Sequence, residues 1–186
     1  MTFDTTHRNR QMTYFDHQDS CWLFGYGSLI WKADFPFIER KAAWIQHWSR
    51  RFWQGSHDHR GTPDAPGRVV TLVAEQQAVC YGMAYRIQPE VLQQLDIREK
   101  NGYLRERVPI YFSPQTAVEG LIYLATVDNE AFLGAAPPHQ IAQQIAQAHG
   151  PSGSNRDYLL NLDRALQELG VEDSHIASLV ASLPRL

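Results

Sequence analysis

At 186 residues, with 17 Lys plus Arg against 20 Asp plus Glu and a formal net charge of −3, the chain is long enough to bury most of its apolar surface without disulfides or metals. Its arginines are scattered, so there is no basic footprint for nucleic acid, and no apolar run approaches the roughly 18 residues of a membrane-spanning helix. The first twenty residues hold no apolar stretch of signal-peptide type, and a cytoplasmic location is expected.

Residues 1–19 are polar and aperiodic and read as a flexible tail ahead of a single domain over 20–186. Trp22–Tyr26 is an apolar, aromatic run suited to a strand buried on both faces. Gly25 and Gly27 then bracket Tyr26, and Ser28 follows. Glycine there admits left-handed angles and close approach of another molecule, so the N–H groups of the loop can converge on an anion. The spacing matches neither nucleotide-loop nor dinucleotide glycine patterns, which favours a carboxylate over a phosphate; a plain glycine turn is the alternative.

Trp48–Trp53 is a candidate strand, and the following SHDHRGTPDAPGR is a long loop dense in Gly, Pro and Asp. Gly67–Ala74 and Ala78–Ile87 are β-rich runs parted by Glu75-Gln76-Gln77, which reads as a hairpin. Pro89 opens a helix with Val91, Leu92 and Leu95 on one face and Asn101-Gly102 as its stop. Two further β-rich runs, Leu104–Phe112 and Val118–Val127, precede three helices, over His139–His149, Asn155–Leu169 and Ser174–Leu183. Ser154 and Asp157 are spaced as a capping pair. Strands first and helices last, without strict alternation, indicate an α+β domain with a mainly antiparallel sheet or small barrel.

Several groups of residues carry chemistry or a plainer alternative. Arg98-Glu99-Lys100 is either a solvated charge triplet at a helix end or the seat of a carboxyl on the core face, since Leu92 and Leu95 lie seven and four residues earlier. A buried carboxyl there would exchange protons near neutral pH. Gly150–Asn155 leads into a helix start that is either an anion site or a capped connection. His57-Asp58-His59 is a weak metal candidate, because adjacent residues of an extended loop point apart. Cys21 and Cys80 abut apolar runs and suit reduced core thiols.

Four blocks, FGYGSLIW, FWQGSHDHRGTPDAPGRVVTLV, LDIREKNGYLRERVPIYF and HGPSGSNRDYLLNL, follow one another between Trp22 and Leu162. Together they resemble the ChaC family of γ-glutamylcyclotransferases. That resemblance implies a small mixed or antiparallel β-barrel with flanking helices, and cleavage of glutathione to 5-oxoproline and cysteinylglycine. The α-amine of the substrate attacks its own γ-amide carbonyl and closes a lactam, so the reaction calls for no cofactor, metal or enzyme nucleophile. Holding the substrate folded back is worth about 7–11 kcal/mol at best.

By the same resemblance Glu99 is the acid/base, and Tyr26, Gly27, Ser28, Leu29, Ile30 and Trp31 hold the γ-glutamyl group. Tyr158 faces the substrate. Arg68, with Arg60, is a candidate from charge for the glycine carboxylate of the tripeptide. Glu106, flanked by Arg105 and Arg107 as expected solvated neighbours, is the internal rival to Glu99. The partner is thus a small molecule, with no nucleic acid or membrane, and the oligomeric state is open. Two alternatives stand beside this: a non-catalytic regulator that senses γ-glutamyl compounds and is linked to cation transport, and a cyclotransferase for other γ-glutamyl substrates.

Overall fold

In the computed structural model, which describes residues 4–185, the apolar run after Ser20 forms β1 (Cys21–Gly25), and its burial on nearly every residue follows from its place inside a closed barrel. After α1 (Thr6–Arg10), β1 and a 3-10 turn (Ser28–Ile30) come β2 (Glu39–Ser56), β3 (Gly67–Ile87), α2 (Val91–Arg98), β4 (Tyr103–Ser113) and β5 (Thr116–Ala125). The barrel runs in the order β1-β3-β2-β4-β5. β1 pairs antiparallel with β3, Cys21 against Ile87 and Gly25 against Met83, and closes in parallel on β5 at Leu23 and Leu121. The remaining elements are α3 (Pro138–Gln147), the two-residue strands β6 (His149–Gly150) and β7 (Gly153–Ser154), α4 (Asn155–Glu168) and α5 (Ser174–Ala181).

The chain forms two compact units, one from the residues up to Ser49 with Leu72–Glu130, the other from Arg50–Thr71 with the residues from Ala131 onward. In the first, Phe15, Leu23, Tyr85, Ile87, Leu92, Leu95, Leu121 and Tyr123 share one apolar cluster. In the second, Ile141 and Ile145 of α3, Leu159, Leu162 and Leu166 of α4, and Ile176 and Leu179 of α5 are buried, as helical spacing requires. The expected capping pair is present: Ser154 Oγ accepts from Asp157 N at 3.0 Å.

Three features differ from the sequence expectation. The hairpin over 67–87 is one 21-residue strand, β3. Glu75-Gln76-Gln77 contains no residue that favours a tight turn; it is polar because it is exposed, and the strand bends where Gln77 takes a φ of 67°, its N–H donating to His47 Nδ1 at 3.4 Å. β2 likewise extends well beyond Trp48–Trp53. Residues 4–19, expected to be a flexible tail, hold α1, a buried Asn9 and Phe15, which is 1% exposed in the core of the first unit.

Candidate active site

β1 ends where the chain must turn back on itself. A Cβ on Gly25 would stand 2.6 Å from Leu29 Cβ, so only glycine lets the strand and the following turn approach. The turn closes through Ile30 N to Gly27 O at 3.0 Å and Lys32 N to Ser28 O at 2.8 Å. Two buried phenols pin it: Tyr26 OH donates to Tyr123 O, and Tyr85 OH to Leu29 O, each at 2.5 Å. Burial raises the Tyr85 pKa, which keeps that phenol a donor. Neither Gly25 nor Gly27 adopts the left-handed angles expected of them; Gly27 has a φ of −128°. Close packing, not backbone handedness, is what requires Gly25.

Glu99 caps α2, its N–H donating to Leu95 O at 2.8 Å. Its side chain is 18% exposed, so it is partly sheltered and not enclosed. Arg98 joins it to the glycine loop. The guanidinium places Nη2 3.2 Å from Ser28 Oγ, Nε 3.5 Å from Glu99 Oε1 and Nη1 3.7 Å from Asp34. A loop at 26–31 and a carboxylate at 99 thus meet in the first unit through one cation, which sequence reasoning had treated only as a flank of the charge triplet.

Beneath α2 lies a buried ion pair that the sequence did not signal. Arg105 binds both oxygens of Asp96, Nε to Oδ1 at 2.9 Å and Nη2 to Oδ2 at 2.7 Å, and Tyr123 OH donates to Asp96 Oδ1 at 2.8 Å. Burial works against the Arg105 charge, but Asp96 and Tyr123 outweigh it and raise its pKa. Arg105 is therefore not the solvated neighbour of Glu106 that was expected. Glu106 itself is exposed on β4, and Arg107 is exposed too, paired with Glu119 at 2.9 Å.

Tyr158 and Arg68 belong to the second unit. Tyr158, on α4, is buried edge-on to Phe52 with ring centroids 5.7 Å apart, and its hydroxyl accepts from Val70 N at 3.5 Å. Arg60 lies over its ring at 5.5 Å and donates to Ser154 O at 3.1 Å. Arg68 is only 7% exposed, and its guanidinium is held by protein acceptors: Gln144 Oε1 at 2.7 Å, with Phe52 O and Gly134 O each at 2.9 Å. Burial lowers the pKa of both arginines.

The long loop and the Gly150–Ser154 block also meet within this unit. A Cβ on Gly150 would come within 2.3 Å of His59 O, and Ser152 N donates to that same carbonyl at 2.9 Å. His59 Nε2 lies 3.6 Å from Asp58, but among the described residues no three His, Cys, Asp or Glu side chains are grouped to hold a metal. Burial pushes the Cys21 thiol up to about 11, so it is a poor nucleophile.

The family model described as ChaC-like protein matches residues 21–185. The chain is 48% identical over 170 residues to Gamma-glutamylcyclotransferase 2-3 of Arabidopsis thaliana, covering 85% of each. It is 40% identical over 176 residues to Glutathione-specific gamma-glutamylcyclotransferase 1 of Danio rerio, covering 89% of this chain and 90% of that one. A crystal structure of the glutathione-specific gamma-glutamyl cyclotransferase from yeast superposes with a TM-score of 0.81 at 30% identity, over 89% of this chain and 98% of the other. With a barrel of the expected kind and a family model spanning nearly all of the globular part, this chain belongs to the ChaC-like family.

Proposed function

We propose that the chain is an enzyme that cleaves glutathione to 5-oxoproline and cysteinylglycine, with Glu99 as its acid and base and residues 20–186 as its catalytic domain. The observation that carries the reading is the Arg98 bridge, which sets the Glu99 carboxylate beside the Ser28 loop. Two of the relatives are named as specific for glutathione, which points the same way. The Glu99 carboxylate takes a proton from the substrate ammonium, and the freed amine attacks the γ-carbonyl carbon. The resulting oxyanion is met by N–H groups at the start of the Ser28–Ile30 turn, which precede any acceptor within the turn. Glu99 then returns its proton to the cysteine nitrogen as that carbon–nitrogen bond breaks, and the second proton that the attacking nitrogen sheds on closing the lactam leaves with the cysteinylglycine amine, which departs as its ammonium. No water is consumed and no covalent enzyme intermediate forms.

Tyr26 to Trp31 hold the γ-glutamyl group, and Tyr158 contacts substrate from α4. Arg68 fixes the loop through Gln144, Phe52 and Gly134, so Arg60, beside Tyr158, takes the carboxylate role that charge suggested for the pair. A cytoplasmic location is proposed with this function; among the described residues no helix is long and apolar enough to cross a membrane.

The test is product formation from glutathione by the purified chain, beside Glu99→Gln and Glu106→Gln and with γ-glutamyl-alanine as a second substrate. Glu99→Gln is expected to lose about 10²-fold or more in kcat, the usual scale for a general acid–base group, while Glu106→Gln keeps wild-type turnover. Consumption of γ-glutamyl-alanine alone would replace the substrate and keep the reaction class. Binding of glutathione without turnover would make the chain a sensor.

A further inference from the structure

Past the end of α2, the carbonyls of the segment that follows Glu99 are met by donors from the chain's own N-terminal residues. Thr5 N donates to Lys100 O at 2.8 Å, and the Thr5 hydroxyl lies 2.7 Å from Tyr103 O and 2.9 Å from Lys100 O. Asp4 and Asn101 form an antiparallel bridge. Asn9, 1% exposed, uses both ends of its amide: Nδ2 donates to Tyr103 O at 3.0 Å and Oδ1 accepts from Arg105 N at 2.8 Å. Met12 O accepts from Arg105 Nη1 at 3.1 Å, and Phe15 anchors the segment in the cluster that contains Leu92, Leu95 and Tyr123.

We propose that residues 4–16 are a positioning strap for Glu99, with Thr5 and Asn9 as its positioning residues; this rests on Glu99 being the acid/base. The strap lies outside residues 21–185, which the family model covers. It grips 100–105, on the far side of Glu99 from the helix, while the Asp96–Arg105 pair fixes the last turn of α2 from below. Helix ends fray, and a reacting group displaced by about 1 Å costs on the order of 10²-fold in rate. A carboxylate at a helix end therefore needs its following segment held, and a buried amide that must donate and accept at once fixes that segment in one register.

The experiment compares the full chain with Thr5→Val, which removes one hydroxyl, and Asn9→Ala, which removes both amide bonds. Each is assayed on glutathione well below its own melting temperature, beside Glu99→Gln. The expected result is a kcat lowered about tenfold or more in Asn9→Ala, less in Thr5→Val, with KM within about twofold of wild type, because geometry at the reacting group acts on rate and not on binding. A lowered melting temperature with wild-type kcat overturns the strap and leaves a stability element. A raised KM at constant kcat overturns it as well. Should Asn9→Ala fail to fold, Thr5→Val, which keeps the backbone bond to Lys100, decides on the same criteria. Retained turnover in Glu99→Gln would remove the acid/base assignment and the strap's purpose together; an inactive Glu99→Gln beside a fully active Asn9→Ala removes the strap alone.

Discussion

At Gly25 the absence of a side chain is what the fold uses. The nearest atom to an added Cβ is Leu29 Cβ at 2.6 Å, fixed to the backbone and unable to swing aside as the tip of a long side chain would. Gly25→Ala is expected to destabilise by about 1–3 kcal/mol, the usual cost of forcing an extra carbon into packed surroundings. Its loss of kcat/KM at a temperature where it remains folded should exceed that, because the Ser28 turn is what moves; thermal melting read beside steady-state kinetics separates the two. The glycine loop and Glu99 were both legible in the sequence, because a Gly-x-Gly-Ser after an apolar run and a carboxylate at a helix end are local patterns. Arg98 was not. Its contact with Ser28 joins residues 70 apart in sequence, and nothing in Arg98-Glu99-Lys100 tells which cation turns inward.

Among the elements, α2 is the one whose last turn is held from a distant strand, through Asp96 and Arg105. Its apolar face was readable from Leu92 and Leu95, but nothing local marked Asp96, fully buried on the same helix. It is buried because Arg105 on β4 meets it with two bonds, and the strand alternation that places Arg105 inward leaves Glu106 outside. Asp96→Asn is expected to cost about 3–5 kcal/mol, since it strands a buried guanidinium without its counter-charge. For a chain of this length that is a fall of about 10 °C in melting temperature, whereas Arg107→Ala, on the exposed pair with Glu119, should cost no more than about 1 kcal/mol. β3 escaped the sequence for the opposite reason. An exposed polar triplet inside a long strand has the composition of a loop, and only its pairing partners reveal that it continues.

Over the whole molecule, one half-buried histidine gives stability a pH dependence. His175 Nε2 accepts from Phe52 N at 3.0 Å, and burial, with Arg51 adding to it, lowers its pKa to about 4 from an ordinary 6.5. The unfolded chain therefore binds a proton more readily than the folded one between those values. The stabilisation is complete above about pH 6.5, falls by roughly 2–3 kcal/mol as pH drops toward 4, and is flat below that. Melting temperatures between pH 7 and pH 4 should show the decline, and His175→Gln, which keeps an acceptor but does not titrate, should lack this share of it. The chain passes between its two compact units at 49/50, 71/72 and 130/131, so no single cut separates one unit from the other. No linker marks those boundaries in the composition, because two of them fall where strands β2 and β3 simply run on.

The parallel contact of Leu23 with Leu121, which joins β1 to β5, has a consequence for how the protein behaves at high concentration. Strands of 18 and 21 residues, set in an open sheet, would leave a long row of unpaired N–H and C=O groups at a border, the template on which other chains add as further strands. Closure removes that border at β1, which is paired on one side to Met83–Ile87 of β3 and on the other to Leu121 of β5. A five-residue strand seated between two others thus takes one place at which a further chain could add out of reach.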